Sequence, residues 1–98
     1  MYFVVRFKDK PESLAIRQKF LSDHLLWLDQ HQAAVLVAGS LRAGSDAAPE
    51  GALWIVEAES KAAVEELFQT DPFWAQGLRE SYEIFLWSKA FPERKVPV

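Results

Sequence analysis

Arg17, His24 and His31 are three side chains that can hold or transfer charge, and they recur every seven residues within the segment 13–32. In an α-helix this spacing is about two turns, roughly 10 Å along the axis, with a drift of only ~20° around it. The three side chains therefore form one polar stripe of a predicted helix. Because histidine exchanges a proton near neutral pH, the stripe is a candidate site for general acid–base chemistry.

Asp71 is a candidate partner of His24 if the end of the second predicted helix lies beside the middle of the first. A carboxylate that accepts a hydrogen bond from one ring nitrogen fixes the tautomer and raises the basicity of the other nitrogen. Two structural alternatives stay open. His24 can be a buried histidine satisfied by a backbone carbonyl, and Asp71, which precedes Pro72, can be the side chain of a turn.

Three further residues, Arg17, Ser40 and Trp27, are candidates for substrate binding. Arg17 can bind a substrate carboxylate or phenolate, or form a salt bridge with an acidic side chain of the protein. Trp27 can line a pocket for a flat aromatic ligand, or belong to the core or a dimer interface. His31 lies near the helix end, where a cation is favoured, so a capping role is expected for it.

Metal and cofactor chemistry have little support in the sequence. His24 and His31 are about 10 Å apart along the predicted helix, too far to share one ion at ligand distances of ~2 Å. The chain has no cysteine, no H-E-x-x-H motif and no glycine-rich phosphate loop. A cofactor-independent protein without a metal is therefore expected.

The 98 residues predict a single domain, 1–98, whose last segment, 92–98, is an extended tail. The net charge is −3 and neither sign forms a run, which argues against nucleic acid and anionic membrane surfaces as partners. No apolar run approaches the ~20 residues of a membrane span. The absence of cysteine suits a reducing compartment, so a soluble, cytoplasmic protein is expected.

Hydrophobic periodicity predicts four strands and two helices. The predicted strands cover 2–8, 33–41, 52–59 and 81–91, and the helices cover 13–32 and 61–70, with Ser13 and Ser60 as N-caps. The segments 42–51 and 71–78 are connections. With right-handed crossovers, this order gives an α+β, ferredoxin-like βαββαβ sandwich with both helices on one face of the sheet.

Two apolar flanks border the polar stripe of the first helix, one of isoleucine, phenylalanine and tryptophan and one of leucines: Ile16, Phe20 and Trp27; Leu14, Leu21, Leu25 and Leu28. The last strand has apolar residues on both faces, with Tyr82 and Ile84 alternating with Phe85 and Trp87. Two helices cover only one face of a sheet. The other face is therefore expected to pack against a second copy in a homodimer.

Two motifs resemble the YciI-related family. One is D-P-F-x-x-x-G-L at residues 71–78, and the other is R-x-x-x-x-x-x-H-L-x-x-L at residues 17–28. The resemblance covers residues 2–87 and implies a dimeric α+β barrel in which His24 and Asp71 share a pocket. One relative is a dehydrochlorinase acting on a chlorinated hydroxyquinol. Ser40 departs from the family pattern, which usually has proline after the glycine.

Two functional hypotheses follow. The first is a small enzyme that isomerises, or eliminates halide from, a small cyclic or phenolic molecule, with His24 as general base or acid and Asp71 as its orienting partner. The second is a non-catalytic dimeric module that binds a small ligand or another protein through the same pocket. The fold does not decide between them, because ferredoxin-like dimers have many unrelated functions.

Overall fold

The described part of the chain in the computed structural model, residues 1–95, forms one four-stranded sheet and three helices. The elements in order are β1 (Tyr2–Asp9), α1 (Leu14–Gln30), β2 (Val35–Leu41), β3 (Gly51–Glu57), α2 (Lys61–Leu67), α3 (Pro72–Ala75) and β4 (Arg79–Trp87), with a 3₁₀ turn, Phe68–Thr70, between α2 and α3. Every pair of neighbouring strands is antiparallel, in the order β2-β3-β1-β4. This is the ferredoxin-like α+β arrangement that the sequence predicted.

The core lies between the sheet and the helices. Phe3, Val5 and Phe7 alternate along β1 toward the helices, and all three are buried. The Phe7 ring makes edge contacts with Trp54 of β3, at a centroid distance of 4.8 Å, and with Phe68, at 5.2 Å. Burial of each such side chain contributes ~1.5–3 kcal/mol to the free energy of folding. These rings therefore stabilise the packing of α1 and α3 on the sheet.

α1 contacts the core through a narrow stripe that contains Arg17, His24 and Trp27, all buried. The leucine flank of α1 is exposed in this single chain: Leu21 and Leu25 are 42% and 54% exposed. None of the helices in residues 1–95 is long and apolar enough to cross a membrane.

The element ends differ from the predicted ones by a few residues. Ser60 caps α2 as predicted, since its hydroxyl accepts from the Ala63 amide at 3.1 Å. Ser13 occupies the N-cap position of α1 without capping it, because its hydroxyl donates to the Lys10 carbonyl at 2.6 Å. The last strand ends at Trp87 instead of residue 91. Residues 96–98 of the predicted tail lie outside the described residues.

The face of the sheet opposite the helices is open in this single chain. Its apolar side chains include Leu53, Phe85 and Trp87, which are 37%, 50% and 42% exposed. Toward the end opposite Trp87, Arg6 forms an ion pair with Glu83, and Leu53 pairs in register with Arg6. The open face is therefore apolar at one end and partly charged at the other.

Candidate active site

His24 and Asp71 form a buried hydrogen-bonded pair. His24 Nδ1 lies 2.6 Å from Asp71 Oδ1, and the two side chains are 8% and 1% exposed. The contact between α1 and α3 brings the two residues together across 47 positions of sequence. An ionised carboxylate only accepts hydrogen bonds, so a neutral His24 carries its proton on Nδ1. Within residues 1–95, Nε2 has no hydrogen-bond partner, which leaves its lone pair for a substrate proton.

The D-P-F-x-x-x-G-L segment holds Asp71 in place through a helix of one turn. Asp71 is the N-cap of α3, and its Oδ1 also accepts from the Phe73 amide at 3.2 Å. Gly77 ends α3 with φ +78°, and the Leu78 amide then donates to the Phe73 carbonyl at 3.0 Å. The turn role that the sequence suggested for Asp71 and its contact with His24 therefore occur together.

Aromatic rings fix the orientation of the His24 imidazole. The Phe73 ring stacks on it with a centroid distance of 4.0 Å and an interplanar angle of 14°. On the core side, the Trp54 ring lies at 6.3 Å. Because packing and the Asp71 hydrogen bond restrict the ring together, Nε2 has one direction in which it can act.

Two arginines share one buried carboxylate beside this pair. Arg17 donates to Asp9 Oδ2 through Nη2 at 2.7 Å and also reaches the Gly51 carbonyl at 3.3 Å. Arg79 donates to the other oxygen, Oδ1, at 2.7 Å. Of the two roles that the sequence left open for Arg17, the structure shows the salt bridge.

Asp9 and Arg79 are site residues that the sequence analysis missed. Asp9 continues the inward alternation of Phe3, Val5 and Phe7, so the period of two was a usable signal for its burial. Arg79 had no such signal. The pairing of β1 with β4 shifts register between Lys8 and Asp9, and this irregularity turns Arg79 inward, where unbroken alternation would place Glu80.

Arg79 is the most enclosed cation of the site. Its guanidinium carbon lies 4.6 Å from the centre of the Phe7 ring and 5.3 Å from that of Phe73. Burial lowers the pKa of Arg79 from its usual value, and the hydrogen bond and charge of Asp9 oppose that effect. Three buried polar atoms of the site, Arg79 Nε, Arg79 Nη2 and Asp71 Oδ2, have no partner within residues 1–95.

Trp27 and His31 support the site from the next turns of α1. Trp27 Nε1 donates to Thr70 Oγ1 at 2.8 Å, which ties α1 to the residue before Asp71. His31 stacks on Trp27 at 4.1 Å, and its Nδ1 lies 2.7 Å from the Trp27 carbonyl oxygen. Ser40 is exposed on β2, where it accepts a hydrogen bond from Arg42 at 3.4 Å.

Three cavities lie away from the His24–Asp71 pair. Cavities of about 480 and 560 Å³ occupy the two ends of the open sheet face, and one of about 390 Å³ lies beside Asp9. None of the three is lined by His24 or Asp71. Residues 1–95 also contain no group of three or more His, Asp or Glu side chains placed to bind one metal ion.

The family model of the YCII-related domain matches residues 1–88. The chain belongs to the YCII-related domain family. Among solved structures, this YCII-related protein is similar to the 5-chloro-2-hydroxyhydroquinone dehydrochlorinase TftG from Burkholderia phenoliruptrix AC1100, solved in complex with 2,5-dihydroxybenzoquinone. The two chains are 29% identical, with a TM-score of 0.80, over 90% of this chain and 94% of TftG.

More distant solved structures share the fold alone. A putative antibiotic biosynthesis monooxygenase from Bacteroides thetaiotaomicron is 18% identical, with a TM-score of 0.59, over 99% of this chain and 95% of its own. Protein Atu4242 from Agrobacterium tumefaciens is 17% identical, with a TM-score of 0.52, over 94% of this chain and 98% of its own. No curated protein sequence matches the YCII-related chain.

Proposed function

We propose that this YCII-related protein is a cofactor-independent enzyme that transfers a proton at His24 Nε2, acting on a small cyclic or phenolic molecule. The observation that supports this function best is the buried 2.6 Å contact of His24 with Asp71, which leaves Nε2 unpaired within residues 1–95. The likeness to TftG, a dehydrochlorinase solved with a dihydroxybenzoquinone, supports the substrate class.

The proposed chemistry is elimination or isomerisation. His24 Nε2 removes a proton from a carbon next to a carbonyl group of the substrate, and Asp71 stabilises the imidazolium that forms. In an elimination from the keto tautomer of a chlorinated hydroquinone, His24 Nε2 instead removes a hydroxyl proton: the O–H pair forms a C=O bond, the ring C=C bond shifts toward the carbon that carries chlorine, and chloride leaves with the C–Cl pair. In an isomerisation, the imidazolium returns the proton to another atom of the substrate.

Three residues are assigned to substrate binding in this proposal. Arg17 is the anion anchor, because its Nη1 makes no hydrogen bond within residues 1–95 while Nη2 is held by Asp9. Trp27 supplies an aromatic wall, although its ring is buried against His31. Ser40 is exposed on β2, and its hydroxyl accepts a hydrogen bond from Arg42.

The proposal also assigns an assembly and a location. A homodimer covers the open sheet face, where Phe85 and Trp87 are exposed. A reducing cytoplasm suits a chain of 98 residues without cysteine. Neither assignment is needed for the His24–Asp71 contact, which forms within one chain.

A second candidate function is a non-catalytic dimeric module that binds a small ligand. It is favoured by one observation: His24 is only 6% exposed, and none of the three cavities is lined by it. A ligand of the open sheet face therefore needs no contact with His24.

The test is turnover of 5-chloro-2-hydroxyhydroquinone, the compound in the name of TftG. We expect chloride release by the native protein and a loss of about 10²-fold or more in His24→Gln, the usual contribution of a general base. His31→Gln is a histidine control at the C-cap of α1; because His31 stacks on Trp27 and does not contact Asp71, its loss of activity should be much smaller than that of His24→Gln.

Retained turnover in His24→Gln would contradict the proposed function. A native protein that binds 2,5-dihydroxybenzoquinone without converting the chlorinated compound, with an affinity that Asp71→Asn leaves unchanged, would instead support the binding module.

A further inference from the structure

The charges of the site balance only when Arg79 is counted. Asp9 and Asp71 supply two carboxylates, and Arg17 and Arg79 supply two guanidinium groups. With His24 neutral, the sum of these four charges is zero. All four side chains are at most 10% exposed, so an uncompensated charge in this group is costly.

Arg79 is placed to balance Asp71 because Asp9 has two cationic partners. Arg17 already neutralises the Oδ2 side of Asp9, and Arg79 uses only Nη1 on the Oδ1 side. Nε and Nη2 of Arg79 have no partner within residues 1–95, and neither has Oδ2 of Asp71. Phe73 contacts both Asp71 and Arg79. Its amide donates to Asp71, and the centre of its ring lies 5.3 Å from the Arg79 guanidinium carbon. Burial lowers the pKa of Arg79, and the charge of Asp71 opposes that effect less than Asp9 does.

We propose that Arg79 is a positioning residue whose buried positive charge balances the Asp71 carboxylate, so that the His24 ring carries one proton, on Nδ1, and keeps Nε2 free. The inference deepens the proposed function, on which it rests for its catalytic meaning. Arg79 does not touch the substrate. It acts through Asp71: by balancing the Asp71 charge, it keeps the His24 proton on Nδ1 and leaves Nε2 available.

The charged groups of the site come from four elements, α1, α3, β1 and β4. Asp71 lies at the start of α3, Arg17 lies two turns earlier on α1, Asp9 ends β1 and Arg79 begins β4. β3 contributes the uncharged Trp54 ring. His31 lies two turns further along α1 and is stacked on Trp27, so it is not a partner of His24.

The test is the protonation state of the His24 ring at neutral pH, read from its ring ¹⁵N signals. We expect the native ring to have one protonated nitrogen, Nδ1. Arg79→Gln leaves two carboxylates with one guanidinium, so the ring should take up a second proton and show both nitrogens protonated. Arg79→Lys restores the charge and should restore the native pattern.

Two controls separate charge from shape. Asp9→Asn disturbs the same cluster but removes a negative charge, so the ring should stay singly protonated. Arg42→Gln makes the same chemical change at an exposed loop position and should have no effect. A singly protonated ring in Arg79→Gln would overturn the proposal. So would equal changes in Arg79→Gln and Arg79→Lys, which would indicate shape instead of charge.

If Arg79→Gln does not fold, Arg17→Gln removes the same charge at a less enclosed position, where the side chain is 10% exposed. Double protonation of His24 is again expected, and a native pattern would overturn the proposal. The readout needs no substrate. A protein without turnover can therefore still show the Arg79 effect, and an active enzyme can lack it, so failure of this inference and failure of the proposed function are distinct results.

Discussion

Asp71 combines two roles through one oxygen atom. Oδ1 accepts from the Phe73 amide and also faces His24 Nδ1, so the atom that starts α3 orients the imidazole. Asp-Pro is a common way to start a helix, because the carboxylate accepts an unpaired backbone amide and proline suits the first helical position. The position that caps α3 is therefore also a position from which a carboxylate can orient His24.

Asp71→Asn separates these roles. The amide oxygen of asparagine can still accept from the Phe73 amide, so the cap is kept, but the buried charge that balances Arg79 is lost, and we expect the free energy of unfolding to fall by roughly 3 kcal/mol. Asparagine has no negative charge to stabilise an imidazolium, so turnover should fall by roughly 10²-fold or more. The measurements are denaturant unfolding and chloride release, with Asp29→Asn on the exposed side of α1 as control. Unchanged turnover would mean that Asp71 is a structural cap alone.

The sequence indicated the buried face of α1 better than the residues that surround it. His24 and Arg17 are buried because they share one helix face, which a spacing of seven residues specifies. The inward turn of Arg79 depends on a register shift between β1 and β4. Such a shift arises from pairing between distant segments, so the sequence of one strand does not reveal it.

At the scale of the elements, the short helix α3 connects the two halves of the site. Its N-cap is Asp71, its first turn holds Phe73 against His24, and the chain leaves it through Gly77 toward Arg79. The sequence predicted a connection over residues 71–78 and no helix there. A four-residue helix is too short to show a 3.6-residue hydrophobic period, although its capping residues were visible.

Gly77→Ala tests this connection. Gly77 has φ +78°, in the left-handed region that costs a residue with a Cβ atom about 1–2 kcal/mol. We expect a loss of that size in the free energy of unfolding, measured with denaturant. Gly39→Ala is the matched control, because a Cβ atom at Gly39 meets no atom within 4 Å and alanine in a strand is tolerated better than glycine. Equal stability of the two variants would show that the turn is not under this constraint.

α2 and β4 are linked by an exposed hydrogen bond from the Tyr82 hydroxyl to Glu65 Oε2, at 2.9 Å. This bond, then burial and the negative charge of Glu65, raises the pKa of Tyr82 above its usual value of 10.0. Because the pKa is higher in the folded state, the related stability is fully present below pH 10 and is lost as pH rises through the folded value.

The measurable consequence is a difference between the native protein and Tyr82→Phe. The native protein should be the more stable near neutral pH, and the difference in unfolding free energy should shrink as pH rises above 10. Glu65→Gln removes the carboxylate, so the Tyr82 phenol should ionise at lower pH in this variant than in the native protein. Phenolate absorbance measures the difference. A difference that does not change across this range would show that the hydrogen bond contributes nothing to stability.

At the scale of the whole molecule, one layer of helices leaves half of the sheet without cover. Phe85 and Trp87 pair in register with Val4 and Tyr2 of β1, and Ile55 of β3 extends this surface, which defines the apolar end of the open face. Burial of a large apolar side chain contributes ~1.5–3 kcal/mol, so several together favour association. Two-fold symmetry would bring the same surface of two copies together.

We expect the native protein to have the mass of a dimer by light scattering at micromolar concentration, and Phe85→Glu to have the mass of a monomer, since it places a charge inside the contact. Leu25→Glu is the control: Leu25 is 54% exposed on α1, close to the 50% of Phe85, but lies on the helix side of the sheet. That variant should stay dimeric. A monomeric native protein would leave the open face to a ligand or another protein, and loss of the dimer in Leu25→Glu instead of Phe85→Glu would place the contact on α1.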